Sequence, residues 1–245
     1  MKIGVVIPAR YASTRFEGKP LALICGKPMI QKVYEGAIGA GRVTDVVVAT
    51  DDQRIMDAVI GFGGKAIMTS ESNRSGTDRV AEAAGIIGLE LDDIVVNIQG
   101  DQPLIDPRCI DEVVEPFFTE PDLGMSTLAF AIVQEDEITN PKDVKVTFDN
   151  NGYALYFSRS TIPFDRDKDG SCEVYKHLGV YAYTRRFLEM FRTLPQGKLE
   201  RIEKLEQLRA LEYGHRIKVV VTGYDSPEVD LPEDIKRIEK RMRLS

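Results

Sequence analysis

Three stretches of the chain are continuous runs of β-branched and other apolar residues with no polar alternation: "KIGVVIP" (2–8), "DVVVAT" (45–50) and "DIVVNIQ" (93–99). Runs of this kind belong to strands covered on both faces, which predicts the centre of a parallel sheet. Between the first two, Ile30, Val33, Tyr34, Ala37 and Ile38 recur at helical spacing and Gly39 and Gly41 close the pattern. That is an amphipathic helix with its stop signal. Ile55, Met56, Val59 and Ile60 predict a second helix ending at Gly61, "KAIMTS" a short strand, and 77–87 a third helix. Strands alternating with helices predict an α/β fold with a doubly wound sheet, whose ligands lie beyond the carboxyl ends of the strands. Three polar segments fall at such ends: the loop after the first strand, Thr50-Asp51-Asp52, and Gln99-Gly100-Asp101.

From about residue 122 the pattern changes. "GMSTLAFAIV", "DVKVTFD", "GYALYFS" and "HLGVYAYT" are short strand-like runs joined by turn residues, most without a helix between them. They predict a mixed or antiparallel extension, an insertion at about 122–190 within one domain spanning 1–245. A helix over 199–211, a strand "IKVVVT" and a final helix carrying Ile235, Ile238 and Met242 follow.

Composition narrows the class. At 245 residues, 43% hydrophobic and 29% charged, the chain can bury a full core. No apolar run approaches the roughly 18 residues of a membrane span, so a soluble, cytoplasmic protein is expected. Cys25, Cys109 and Cys172 are widely spaced, which predicts neither disulfides nor zinc. A formal charge of −7 argues against nucleic acid as a partner. Any basic site must be local.

The densest basic site is "PARYASTRFEGKP", which places Arg10, Arg15 and Lys19 directly behind the first strand. Guanidinium groups grip phosphate oxygens bidentately and Lys adds a mobile point charge, so the loop suits a polyphosphate. A solvated basic turn is the plainer alternative. The chain lacks G-x-x-x-x-G-K-[ST], and "GFGGKA" follows a helix and not a strand, so neither common glycine-rich phosphate loop is present. Asp101, in "NIQGD", would repel phosphates unless a cation intervened, and Mg²⁺ typically takes one or two carboxylates plus phosphate oxygens. Asp230, in "EVDLPED", is a second candidate ligand. Pro232, Glu233 and Asp234 form a helix-start signature that leaves Leu231, a residue unable to cap, at the cap position.

"SGTDR" (75–79) joins a loop to a helix, where backbone N–H groups and Arg79 suit a base edge or a phosphate; a simple Ser cap is the alternative. Downstream, Arg159 follows an apolar strand and His177 is one of only two histidines. On the helix at 199–211, Glu203, Glu206, Gln207 and Ala210 share a face opposite Ile202, Leu205 and Leu208, as a solvated face would.

Taken together, "IPARYASTRFEGKPL", "GKPMIQ", "VATDD", "SGTDR", "QGDQP", "GYALYFSR", "TIPFDRD", "HLGVYAY", "EKLEQLRALEYG" and "VDLPEDI" run nearly end to end and resemble the 3-deoxy-manno-octulosonate (Kdo) cytidylyltransferase family. The resemblance implies a Rossmann-like nucleotide-diphospho-sugar transferase fold, mostly parallel, with an inserted mixed or antiparallel region that supports a homodimer. It implies that Kdo, an octulosonate sugar acid, attacks the α-phosphorus of CTP to give CMP-Kdo and pyrophosphate for lipopolysaccharide synthesis. By the same resemblance Arg10, Arg15 and Lys19 hold the triphosphate, with Asp101 counted beside them as catalytic. Ala9, Ser75, Gly76, Arg79 and Gln99 help hold the nucleotide, and Asp101 and Asp230 ligate Mg²⁺. Arg159, His177, Tyr181, Glu206 and Gln207 line the sugar pocket, with Arg159 on the sugar carboxylate. No side chain stands out as general base, and His177 is a candidate.

Two positions depart from the family's usual form. Gln102 stands where "QGDEP" has Glu, and Leu231 where "VDTPED" has Thr. The loss of a negative charge beside Asp101 raises an alternative acceptor, 8-amino-3,8-dideoxy-manno-octulosonate. Two other readings are weaker. A nucleotidyltransferase for a sugar phosphate would need a glycine-rich opening loop and more downstream cations. A non-catalytic nucleotide-binding regulator would be expected to have lost Asp101, Asp230, Arg10 or Lys19, all of which are present.

Overall fold

The computed structural model describes residues 1–13, 15–167 and 172–243; Thr14 of the basic loop and 168–171 of the inserted segment lie outside them. The apolar runs form the strands they predict. β1 (Ile3–Ala9) pairs in parallel with β4 (Asp45–Thr50) and β6 (Ile94–Asn97), and β4 with β5 (Ala66–Met68). A small ribbon of β2 (Leu23–Ile24) and β3 (Lys27–Pro28) follows the basic loop. Helices α1 (Met29–Ile38), α2 (Gln53–Gly61) and α3 (Gly76–Ile86) connect these strands. Ile3, Val5 and Ile7 pack into one core cluster with Ile30 and Val33 of α1, and Val6 into another with Val80 and Ala84 of α3. Both faces of β1 are thus buried, which is why its sequence shows no alternation.

The second half completes the sheet. β7 (Met125–Ala131), β10 (Tyr175–Thr184) and β11 (Lys218–Thr222) extend it to the order β11-β7-β10-β6-β1-β4-β5. Within that path β10 is antiparallel to both β6 and β7, while β11 is parallel to β7. The sheet is mostly parallel, with β10 as its reversed strand. The segment expected at 122–190 as an insertion is therefore not set apart at its ends, because β7 and β10 are strands of the main sheet. What leaves the sheet is the excursion between them: α5 (Glu135–Thr139), β8 (Lys145–Phe148) and β9 (Ala154–Ser158), with β8 pairing β10 and β9.

Five helices differ from or add to the pattern. α4 (Pro107–Val114), capped by Asp106, and α6 (Arg185–Thr193), capped by Thr184, were signalled by their caps but not predicted. The single helix expected over 199–211 is two pieces, α7 (Lys198–Glu203) and α8 (Leu208–Glu212). The break is Lys204, held in the left-handed region at φ 56°. It rotates the stripe apart, so Ile202 is 77% exposed while Leu205 and Leu208 are buried. The final helix α9 (Asp234–Met242) starts at Asp234 and not at Pro232. Its entry is held by the Asp234 carboxylate, which accepts from the backbone N–H groups of Asp230 and Leu231 at 2.9 Å, so Leu231 is not the cap. Among the described residues no helix is long and apolar enough to cross a membrane, and the three cysteines are free.

Candidate active site

The basic loop turns back on itself at Gly18, whose φ of 68° favours glycine and whose Cβ would crowd the Tyr11 ring at 3.1 Å. This closure aims Lys19 across the sheet's carboxyl edge. Lys19 Nζ lies 2.5 Å from Asp101 Oδ2 and donates to the Val229 carbonyl at 3.0 Å. Arg15 pairs with Asp230 at 3.1 Å. The backbone of Val229 in turn donates to the Asp101 carbonyl at 3.0 Å, tying the segment before α9 to the β6 loop. Gly100 allows this approach, since a Cβ there would sit 3.0 Å from the Pro8 carbonyl oxygen. Three distant segments thus meet at one point, with two cations on two carboxylates.

That point borders a cavity of about 860 Å³. Arg15, Gln99, Asp101 and Asp230 line it, and so do Arg159, His177, Tyr181 and Gln207. Of the expected nucleotide residues, Gln99 faces this cavity, whereas Ala9 is buried in the core. Arg10 donates to the Asn73 carbonyl, linking the basic loop to the turn before α3. Ser75 caps α3, accepting from the Asp78 N–H at 3.1 Å, and Gly76 lies against Pro8. Arg79 is corrected to an interior role. Its guanidinium is fully buried, paired with Asp51 and bonded to the Thr69 hydroxyl, and does not reach the cavity.

Four of the five expected sugar residues, Arg159, His177, Tyr181 and Gln207, converge on the cavity from the end of β9, from β10 and from the α7–α8 turn, whereas Glu206 is not in its lining. Arg159 is pinned through Nε to the Glu203 carbonyl at 2.8 Å and through a terminal nitrogen to the Pro141 carbonyl at 2.9 Å. This leaves its other terminal nitrogen for a ligand. Gln207 is buried, with its Nε2 donor unpaired. Glu206 accepts from Thr77 at the head of α3. Burial raises the Glu206 carboxyl, opposed by that hydrogen bond and by Arg209. So Glu206, Gln207 and Glu203 are not a solvated face; Glu203 accepts from the Ser158 hydroxyl at 2.7 Å and the Arg159 N–H at 3.0 Å.

His177 Nε2 lies 2.9 Å from the Thr127 hydroxyl, which itself donates to the Val180 carbonyl at 2.7 Å. Since that hydroxyl has one proton, the imidazole carries its hydrogen on Nε2. Phe157 packs edge-on against the ring at 5.2 Å, and burial pushes the pKa down to about 3. A histidine held that low is neutral at pH 7 and a feeble base, which sets aside its candidacy as general base. One cavity residue escaped the sequence reading. Glu228 lines the pocket two positions before Asp230. Its side chain is exposed to the open cavity, and the flanking walls together with the Asp101 and Asp230 carboxylates raise its carboxyl above the usual range.

The donor set fits a divalent cation. Asp101 Oδ1 is buried without a partner, and both Asp101 and Asp230 sit beside the anion loop. Among the described residues no three carboxylate, His or Cys groups are gathered around one point, so phosphate oxygens would complete such a shell.

An anion loop facing paired carboxylates at the edge of a parallel sheet defines a nucleotidyltransferase. A family profile described as cytidylyltransferase matches residues 4–217, and the chain belongs to that family. It is 67% identical over 99% of each chain to a 3-deoxy-manno-octulosonate cytidylyltransferase of Desulfatibacillum aliphaticivorans. It is 59% identical, over the full length of both, to an 8-amino-3,8-dideoxy-manno-octulosonate cytidylyltransferase of Shewanella piezotolerans. The solved structure of a CMP:2-keto-3-deoxy-manno-octonic acid synthetase complexed with CTP superposes with a TM-score of 0.93 at 43% identity, covering 100% of this chain and 99% of that one.

Proposed function

We propose that this enzyme transfers CMP from CTP to Kdo, releasing pyrophosphate. The anomeric 2-hydroxyl attacks the α-phosphorus, its oxygen bonds to phosphorus, its proton is released to solvent, and the bond to the leaving pyrophosphate breaks. The observation that carries this reading is one cavity bordered by cations and carboxylates and holding unpaired donors at Arg159 and Gln207. Arg10, Arg15 and Lys19 take the triphosphate, where their charges offset what accumulates on the phosphates during transfer. Asp101 and Asp230 hold Mg²⁺, which when bound neutralises phosphate charge and supports departure of pyrophosphate. Gln99 and the Ser75–Gly76 turn border the nucleoside, with Arg79 stiffening that wall from behind. Arg159 takes the sugar carboxylate, while neutral His177, Tyr181, Glu206 and Gln207 meet its hydroxyls.

The Shewanella relative and Gln102 favour a second acceptor, the 8-amino sugar. Pyrophosphate release from CTP and Mg²⁺, with each sugar supplied in parallel, tests both. Release with Kdo supports the main reading, and the ratio of kcat/KM values assigns the preferred sugar. Absence of release with either, from protein that binds CTP, refutes it. Two further features are proposed. A homodimer would cover exposed apolar side chains on the excursion, where Leu155, Phe164 and Val133 are 63%, 79% and 75% accessible; light scattering decides it. A reaction consuming CTP belongs in the cytoplasm.

A further inference from the structure

Gln102, the position that departs from the family's usual Glu, is fully buried directly behind Asp101. Its Nε2 donates to Glu228 Oε1 at 3.4 Å, and its own Oε1 is left without a partner. An apolar residue would fill this space without stranding an acceptor, so stability does not explain the amide. What it does is steer a carboxylate. Gln102 does not itself line the cavity, whereas Glu228 does. The carboxyl group missing at 102 is present instead at 228, on a side chain that lines the pocket.

The place of that carboxylate is specific. A Cβ at Gly179 would lie 3.3 Å from Gln99 Cγ, 3.4 Å from Glu228 Oε1 and 3.6 Å from Gln102 Nε2. Gly179 sits in the irregularity of β10 between Leu178 and Tyr181, on the strand that carries His177 and Tyr181. Glu228 therefore stands at the seam between the nucleotide end, with Gln99, Asp101 and Asp230, and the sugar end. Phosphates offer a carboxylate no hydrogen-bond donor; a sugar does.

We propose that Glu228 is an acceptor-binding residue, taking a hydrogen bond from a donor group of the sugar acid, and that Gln102 is the positioning residue that aims it. The donor is a hydroxyl, or the ammonium when the acceptor is the amino sugar. This rests on the sugar-acid reading above.

The test is steady-state kinetics with Kdo and with its 8-amino analogue, alongside calorimetric CTP affinity, for Glu228→Ala, Gln102→Leu and the exchanged pair Q102E/E228Q. Pyrophosphate release by the unaltered enzyme is read first; its absence with both sugars overturns the acceptor assignment and this inference with it. Given release, Glu228→Ala raises the sugar KM at least about 10-fold while CTP affinity stays within about twofold. Gln102→Leu gives a smaller rise of the same kind. If the donor is a hydroxyl, both sugars suffer alike and the exchanged pair recovers, because the amide that the exchange places at position 228 keeps a carbonyl that accepts. If it is the ammonium, only the amino sugar suffers and the exchange does not recover. A sugar KM within about twofold for both sugars in Glu228→Ala, or an equal loss of CTP affinity, overturns the proposal; Glu228→Gln, nearly isosteric, supplies the ammonium arm should the Ala variant fold poorly.

Discussion

Lys19 Nζ rests 2.5 Å from Asp101 Oδ2, so a cation of the basic loop occupies one oxygen of a carboxylate whose other oxygen is buried and unpaired. Arg15 stands the same way to Asp230. The loop and the carboxylates neutralise each other. A triphosphate offers the cations a better partner and frees the carboxylates for a metal, so nucleotide and metal binding should reinforce one another. Mg²⁺ alone is expected to raise Tm little, and Mg²⁺ with CTP substantially more than either alone. Asp101→Asn should lower kcat/KM about 10²- to 10³-fold, a loss of the size seen when one electrostatic stabiliser is removed, and should abolish the Mg²⁺ increment in Tm. Retained turnover would remove Asp101 from the metal site.

Arg79 has no exposed surface and pairs with the half-buried Asp51, so its deletion empties its buried site and leaves that carboxylate without its partner. Arg79→Ala should cost about 2–5 kcal/mol of stability, mostly from lost packing, read by urea titration. A CTP defect without loss of stability would contradict the interior role and return Arg79 to the nucleotide site.

The tightest neighbour of a Cβ at Gly100 is rigid backbone, the Pro8 carbonyl oxygen, with the Ile30 and Ile7 side chains at ordinary contact distance. Gly100→Ala should push the Asp101 turn away from Lys19. The expected result is a loss of about 1–3 kcal/mol in stability, typical of overpacking, together with a fall in kcat larger than any change in sugar KM. An Ala variant with normal kcat would show that the turn tolerates displacement.

His177 titrates near 3 in the folded protein, against about 6.5 when unfolded. Between those values the unfolded chain binds the extra proton, so folding stability attributable to His177 is full above pH 6.5 and falls as pH drops toward 3. By pH 5 the loss is about 2 kcal/mol at 1.36 kcal/mol per unit. His177→Gln, which keeps a donor for Thr127, should flatten the stability curve between pH 6.5 and 4. A variant that follows the parent curve would place the acid sensitivity elsewhere.

Much was legible because burial leaves a local trace. The apolar runs of β1, β4 and β6, the periodicity of α1 to α3, and the polar residues waiting at strand ends could be read residue by residue. The helix over 199–211 misled because a left-handed residue inside it is a Lys, with nothing in its chemistry to announce the break. Glu228 went unread because its meaning depends on Gln102, 126 positions away.

The sequence by itself determined which segments are buried, which loop is cationic, and which carboxylates lie near the sheet's edge, since each follows from side-chain chemistry and short-range spacing. Only the tertiary structure decided that β10 runs against its neighbours, that Arg79 turns inward, and that Asp101, Asp230 and Glu228 line one cavity with Lys19 and Arg15 paired to its carboxylates. Periodicity reports whether a residue is covered. Which residue covers it is set by strand order and loop closure, which join positions far apart in the chain.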